Sequence, residues 1–174
     1  EKLGIADNTV IMYTSDHGSH FRTRNSEYKR SCHDGCTRIP LVICGPGFKG
    51  GERIVEQACT IDIAPTLLGM AGIEKPSYMK GYDLAGIVSG TVGYTREGVF
   101  IQISEDHVGR AIATLGWKYE VIDKNASGTL DPRGTEYTEA YLYDLDNDPF
   151  EQKNLIDKAG YSEIRSELRK LLHV

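Results

Sequence analysis

Apolar and polar positions along the first half of the chain fall into short runs broken by turn-forming residues. "TVIMYTS" (9–15) is a β-branched and apolar run between Asp7–Asn8 and Asp16–Gly18. Such a run reads as a buried strand. "IPLVICGPG" (39–47) predicts a second strand, stopped by Gly-Pro-Gly. "IDIAPTLLGMAGI" (61–73) predicts a helix. Asp62 or Thr60 would cap it, Pro65 sits in the tolerated first turn, and Gly72 ends it. Strand, connection, strand and helix in this order indicate an α/β sheet with active loops at strand ends.

Beyond about residue 95 the runs become shorter, alternating and richer in aromatics. "GVFIQIS", "RAIATLG", "WKYEVID" and "AYLYDL" predict strands, with a hairpin turn through Gly116. "YSEIRSELRKLLHV" predicts a closing helix with Ser162 as its cap and Ile164, Leu168 and Leu171 on one face. This half reads as a small antiparallel sheet with one helix. The expected domains are therefore 1–95, an α/β segment, and 96–174, an α+β subdomain.

Composition narrows the class. At 174 residues, with 40% hydrophobic and 26% charged residues, the chain has ordinary globular character. Its net charge of −5 argues against general nucleic-acid binding. No apolar run is long enough to span a membrane. The four cysteines, Cys32, Cys36, Cys44 and Cys59, fit no zinc-site spacing and read as structural or free thiols. "DLDNDPFEQKNL" (144–155 begins at its Asp) alternates Asp144, Asp146 and Asp148 like a calcium loop. Pro149 and Leu155 occupy the places of the required glycine and glutamate, so it reads as turn-forming. Asn125-Ala-Ser is a glycosylation triplet of a kind that also arises by chance.

Against this acidic background, "YTSDHGSHFRTRNSEYKRSC" (13–32) gathers positive charge after one aspartate. Asp16 and His17 at a strand end can aim a carboxylate oxygen and an imidazole nitrogen into one cleft, and Gly18 permits the sharp turn away. Lys29 could reach back to neutralise an oxyanion. His20, Arg22, Arg24 and His33 could line the rim and read anionic groups. Each residue alone is as compatible with a solvated loop.

Taken in order, the segments resemble the sulfatases of the alkaline-phosphatase-like superfamily. "DNTVIMYTSDHG" is similar to the family's last metal-bearing strand, and "YKRSCHDGCTRIPLVICGPG" to its lysine loop and R-[IV]-P strand. "CTIDIAPTLLGMAGI" resembles its D-[IL]-A-P-T-L-L helix. "GRAIATLGWKYEVI" and "LYDLDNDPFEQKNL" resemble its C-terminal W-K-Y strand and its L-Y-D-L-x-x-D-P-x-E-x-x-N-L segment. The matches span 7–155 and imply the C-terminal part of an alkaline-phosphatase-like sheet followed by a small subdomain.

The resemblance implies that Asp16 and His17 are two ligands of a single divalent cation, usually Ca²⁺, and that Lys29 contacts the sulfate. Asp34 and Arg38 match a structural acid–arginine feature. The family's nucleophile is a formylglycine made within C/S-x-P/A-x-R. No such motif occurs among these 174 residues, nor do the paired acidic residues of the family's N-terminal part. The chain opens without methionine, and formylglycine is expected upstream. The isolated chain is expected to be inactive and to self-associate through surface meant for the missing part. A sulfated small molecule or glycan is the expected partner, and an extracytoplasmic location (periplasmic, secreted or lysosomal) is favoured by the resemblance. The rivals are a phosphodiesterase or phosphonate hydrolase of the same superfamily and a non-catalytic sulfatase-like fragment.

Overall fold

The computed structural model describes residues 2–48 and 50–173. In chain order its elements are β1 (Ile11–Thr14), α1 (Asp34–Thr37), β2 (Leu41–Cys44), α2 (Ile63–Met70), α3 (Leu84–Val88), β3 (Val99–Ile103), β4 (Val108–Ala113), β5 (Trp117–Asp123), β6 (Thr138–Asp144) and α4 (Ser162–Leu172). They fall into two units. Glu1–Thr14 and Pro40–Arg96 form the first, Ser15–Ile39 and Glu97–Val174 the second.

In the first unit β1 and β2 pair antiparallel, Ile11 opposite Cys44 and Thr14 opposite Leu41. The expectation of a buried first strand is corrected here. Ile11, Tyr13 and Val42 are all more than half exposed, because a two-stranded ribbon cannot cover both of its own faces. Past β2, Gly45 at φ +122° comes so close to the Thr9 carbonyl that a Cβ would lie 2.4 Å from its oxygen. A single turn of 3₁₀ helix (Thr60–Asp62) leads into α2.

Asp62 does not cap α2 as expected, for no side-chain bond runs from it to the helix amides. Its fully buried carboxylate instead accepts from the Cys59 and Tyr82 amides and, through both oxygens, from Arg96. A buried carboxylate needs such a set of donors to offset its lost hydration. Thr66 links α2 to α3, its hydroxyl donating to the Asp62 carbonyl and accepting from the Leu84 amide.

The second unit is built on a four-stranded antiparallel meander, β3-β4-β5-β6. Phe100 pairs with Ile112, Ile112 with Tyr119, and Tyr119 with Leu142, with a bulge at Glu120/Val121. The Thr114 amide donates to the Trp117 carbonyl, closing the expected tight turn between β4 and β5. Ile112, Tyr119, Val121 and Leu142 pack with Leu155, Ile156, Leu168 and Leu172, so α4 covers this face of the sheet. Ile164 and Leu171 lie at the edge of that cluster, as the helical spacing predicts. Ser162 is the first residue of α4 rather than its cap; the position before it is Tyr161, which caps nothing.

The opposite face is covered as well. Cys32 is fully buried on Ile103 and Ala111, so the segment before α1 lies against the sheet. Because alternate residues of a strand face opposite ways, Lys118 and Glu120 of β5 meet this segment, and both have no exposed surface. All four cysteines are free thiols. In the 144–153 turn, Asp144 accepts from the Asn147 amide and Asp148 from the Lys153 amide, which are turn bonds rather than a cation cage.

Candidate active site

The chain leaves β1 through Ser15, and Asp16 follows at the surface with its side chain 85% exposed. One Asp16 oxygen accepts from the His17 amide at 3.0 Å. That bond, foremost among the causes, holds the Asp16 carboxyl below its ordinary value. His17 turns inward. Its Nδ1 lies 2.8 Å from the Gly18 carbonyl oxygen, and its Nε2 lies 2.9 Å from Lys29 Nζ and 3.5 Å from Asp16 Oδ2. A carbonyl only accepts, so Nδ1 carries the proton and Nε2 presents its lone pair. The Lys29 ammonium then donates to Nε2.

Lys29 is brought back by the base of its own loop. The His20 amide and the Ser19 hydroxyl both donate to the Tyr28 carbonyl, at 2.9 and 3.1 Å. His20 Nε2 lies 3.2 Å from the Lys29 carbonyl. Tyr28, part of the same turn, sets its ring 5.9 Å from that of His17 and 5.5 Å from Lys29 Nζ. Gly18 closes the other side. Its amide donates to the Cys36 carbonyl of α1 at 2.8 Å, and a Cβ there would fall 2.1 Å from the Gly35 oxygen. Only glycine permits that approach.

A carboxylate oxygen, an imidazole nitrogen and an ammonium therefore converge. Donors 3.5 Å apart can both reach one cation at usual Ca²⁺ or Mg²⁺ distances. Among the described residues no group of three or more His, Cys, Asp or Glu is arranged to hold a metal. The pair is thus at most part of a ligand set.

The residues expected to line the rim separate sharply. Arg22 is exposed, in a left-handed backbone conformation at φ +61° beside the equally exposed Phe21 at φ +51°. The other three are held within the fold. Arg24 donates through its two terminal nitrogens to the Glu151 and Phe150 carbonyls, both at 2.6 Å. His20 is 5% and His33 4% exposed. His33 lies against the Tyr141 and Tyr143 rings with Nε2 3.1 Å from the Tyr143 hydroxyl. Burial, with the nearby Arg24 and Lys118 charges, pushes its pKa down to about 3. A neutral, enclosed imidazole is ill placed to read an anion from solvent.

The acid–arginine pair forms, with a further partner for its acid. Arg38 is largely exposed and meets Asp34 only at 3.4 Å. The close partner of Asp34 is Lys118 Nζ, which also lies 2.6 Å from Glu151 Oε1. The second Glu151 oxygen accepts from the Asp34 amide at 2.7 Å. Beside this group Glu120 bonds His107 at 2.7 Å, and His107 bonds Asp106 at the same distance. Sequence reading passed over Lys118, Glu120 and Glu151. "WKYEVID" alternates charged with apolar positions, the pattern of a strand with one solvated face, and nothing local reveals that this face is covered.

Comparison with known proteins agrees with the sequence resemblance. Residues 27–174 match the family described as N-sulphoglucosamine sulphohydrolase, C-terminal. Arylsulfatase K of Bos taurus is 31% identical over 183 residues, covering 98% of this chain and 31% of its own length. A solved structure of a 2-O GAG sulfatase superposes with a TM-score of 0.79 at 28% identity, over 96% of this chain and 36% of that one. The phosphonate monoester hydrolase of Agrobacterium radiobacter superposes with a TM-score of 0.74 at 25% identity, over 99% of this chain and 36% of that one. The chain thus spans about a third of the length of the relatives it matches. With residues 27–174 inside one family description and 96% of the chain superposing on a solved sulfatase, the chain belongs to the sulfatase family and corresponds to its C-terminal portion.

Proposed function

We propose that the intact protein containing this chain hydrolyses sulfate esters of a sulfated carbohydrate. The convergence of Asp16 Oδ2, His17 Nε2 and Lys29 Nζ carries the reading. Asp16 and His17 fit two positions around a divalent cation, Ca²⁺ being the family's usual one. The carboxylate is a hard oxygen donor, and the Gly18 carbonyl holds the imidazole with its Nε2 lone pair available; a bound cation would take the place at Nε2 that the Lys29 ammonium holds, moving that ammonium toward the cation's anion. The cation would supply positive charge that holds sulfate oxygens. Lys29 supplies a second positive charge and a proton donor toward the sulfate and the leaving oxygen. Arg22, exposed on the same loop, reads a further anionic group of the substrate. The carbohydrate class is supported by the N-sulphoglucosamine and GAG descriptions of the matched proteins.

The 174 residues contain no C/S-x-P/A-x-R, so the formylglycine nucleophile belongs to residues outside them. Turnover by the isolated chain is accordingly not expected, and sulfatase activity from it above a Lys29→Ala control would overturn that part. An extracytoplasmic location belongs to the same reading and rests on the family alone; no helix among the described residues is long and apolar enough to cross a membrane. Self-association of the isolated chain through exposed Ile11, Tyr13 and Val42 is a further element, which a monomer by light scattering would remove.

The test is cation-dependent hydrolysis of sulfated monosaccharides by the intact protein, compared with Asp16→Asn and Lys29→Ala. The phosphonate hydrolase likeness supports a second reading, phosphonate or phosphate diester hydrolysis at the same residues. Hydrolysis of those esters with none of sulfate esters would decide for it, and neither activity would leave a non-catalytic member of the family.

A further inference from the structure

One face of β5 carries two side chains that a soluble strand ordinarily gives to water. Lys118 and Glu120 are wholly buried. Lys118 joins Asp34, the first residue of α1, to Glu151, and Glu151 in turn accepts the Asp34 amide. Arg24, from the loop that ends in Lys29, clamps the carbonyls of Phe150 and Glu151. Glu120 lies against the buried Cys32 just before α1 and is itself held by His107. These ions are costly to bury, and hydrophobic replacements commonly give equal or better stability. Their arrangement supplies something a hydrophobic contact would not: directional bonds from Lys118 and Glu151 to Asp34, the first residue of the one-turn helix α1.

That helix is what Gly18 leans on. The Gly18 amide donates to Cys36 O, and the two backbones approach closely enough to exclude any Cβ. Gly18 also provides the carbonyl that holds His17 Nδ1. A continuous path of named contacts therefore runs from β5 through Glu151 and Asp34 to α1, then through Cys36 to Gly18 and His17.

We infer that Lys118 and Glu151 are positioning residues for the candidate cation and sulfate site, holding α1 as the seat against which Gly18 and His17 are set. The inference rests on the functional reading above for the identity of the site, though the mechanical path does not. Lys118 and Glu151 touch neither cation nor substrate; they act on His17 through α1.

The test compares Glu151→Gln and Gly18→Ala with the wild type in the intact protein. Glu151→Gln keeps the shape and an acceptor for the Asp34 amide while removing the charge that meets Lys118. Gly18→Ala disturbs the seat directly and leaves the ions in place. Amide exchange is read separately in peptides covering 15–20 and in peptides covering β4 and β5, together with Ca²⁺ affinity. Expected in both variants is exchange around Gly18 at least about tenfold faster while the sheet stays protected. Ca²⁺ affinity should fall by about 10–100-fold, the usual effect of losing an outer support of a ligand. Unchanged exchange at 15–20 and unchanged Ca²⁺ affinity in a folded Glu151→Gln protein would overturn the inference. If Glu151→Gln fails to protect the sheet, Gly18→Ala decides: wild-type Ca²⁺ affinity in that variant would show that the seat does not set the site. Faster exchange at Gly18 in a protein that hydrolyses no sulfate ester would uphold the path and refute the sulfatase reading instead.

Discussion

Lys29 Nζ lies 2.9 Å from Nε2 of His17, although the two are twelve residues apart. The imidazole reaches this position as an acceptor because its other nitrogen is bound to the Gly18 carbonyl. The Lys29 ammonium therefore sits on the Nε2 lone pair, the one acceptor this imidazole presents.

Lys29→Ala in the intact protein should lower kcat for sulfate-ester hydrolysis by about 10²–10³, the scale of losing one stabiliser of developing negative charge. Lys29→Arg should recover part of this. Steady-state kinetics on a sulfated monosaccharide is the check, and a change confined to KM would contradict a role in the reaction step.

Arg22 and Arg24 should behave oppositely despite being two residues apart. Arg24→Ala removes charge-assisted bonds to two carbonyls and should cost about 1.5–3 kcal/mol of stability per bond at most. Arg22→Ala, at an exposed position, should change stability by no more than about 0.5 kcal/mol while raising KM for polyanionic substrates. Urea denaturation beside kinetics separates the two.

Two histidines, one buried and one half-buried, give stability opposite slopes with pH. His33, held down at about 3 by burial and by Arg24 and Lys118, takes up a proton only when unfolded as pH falls below about 6.5. Stability should therefore decline from there toward pH 3. For His107, burial alone would lower the pKa, but the bonds to Glu120 and Asp106 outweigh it and raise it. Its contribution is fully present below about 6.5 and is lost as pH rises through the raised value. Denaturant midpoints across pH should show a maximum between these limbs. His33→Asn should flatten the acid limb and His107→Gln the alkaline one; limbs that ignore these substitutions would refute the assignment.

In the first unit the Asp62–Arg96 pair should be a point of fragility. Burial alone would raise the Asp62 pKa, yet Arg96 and the Tyr82 and Cys59 amides together lower it. The stability this gives is present above about pH 3.9 and is lost as pH falls through the lowered value. Arg96→Ala, which strands a buried carboxylate, should cost about 3–5 kcal/mol. Hydrogen exchange in α2 and α3 would report the loss locally.

Much of the fold was legible because its signals are local. The meander from Val99 to Asp144 shows in alternating apolar runs, and α4 shows in the spacing of Ile164, Leu168 and Leu171. Asp16, His17 and Lys29 could be picked out because their order resembles that of a family. The exposure of β1 was not legible, since an apolar run states what a strand could bury and not what is there to cover it. The roles of Arg24, His20 and His33 were hidden for a related reason. A basic loop looks the same in sequence whether its side chains face solvent or carbonyls 126 and 127 positions away.

By itself, the sequence determined the element order, the apolar face of the sheet beneath α4, and the residue types able to meet a cation and an anion. Only tertiary structure decided that Lys118 and Glu120 are buried, that Asp34 of α1 meets Lys118 and Glu151, and that His17 and Lys29 meet. The physical reason is that periodicity reports a side chain's direction along its own element. The free energy of burying a charge depends on which distant partner arrives to hold it.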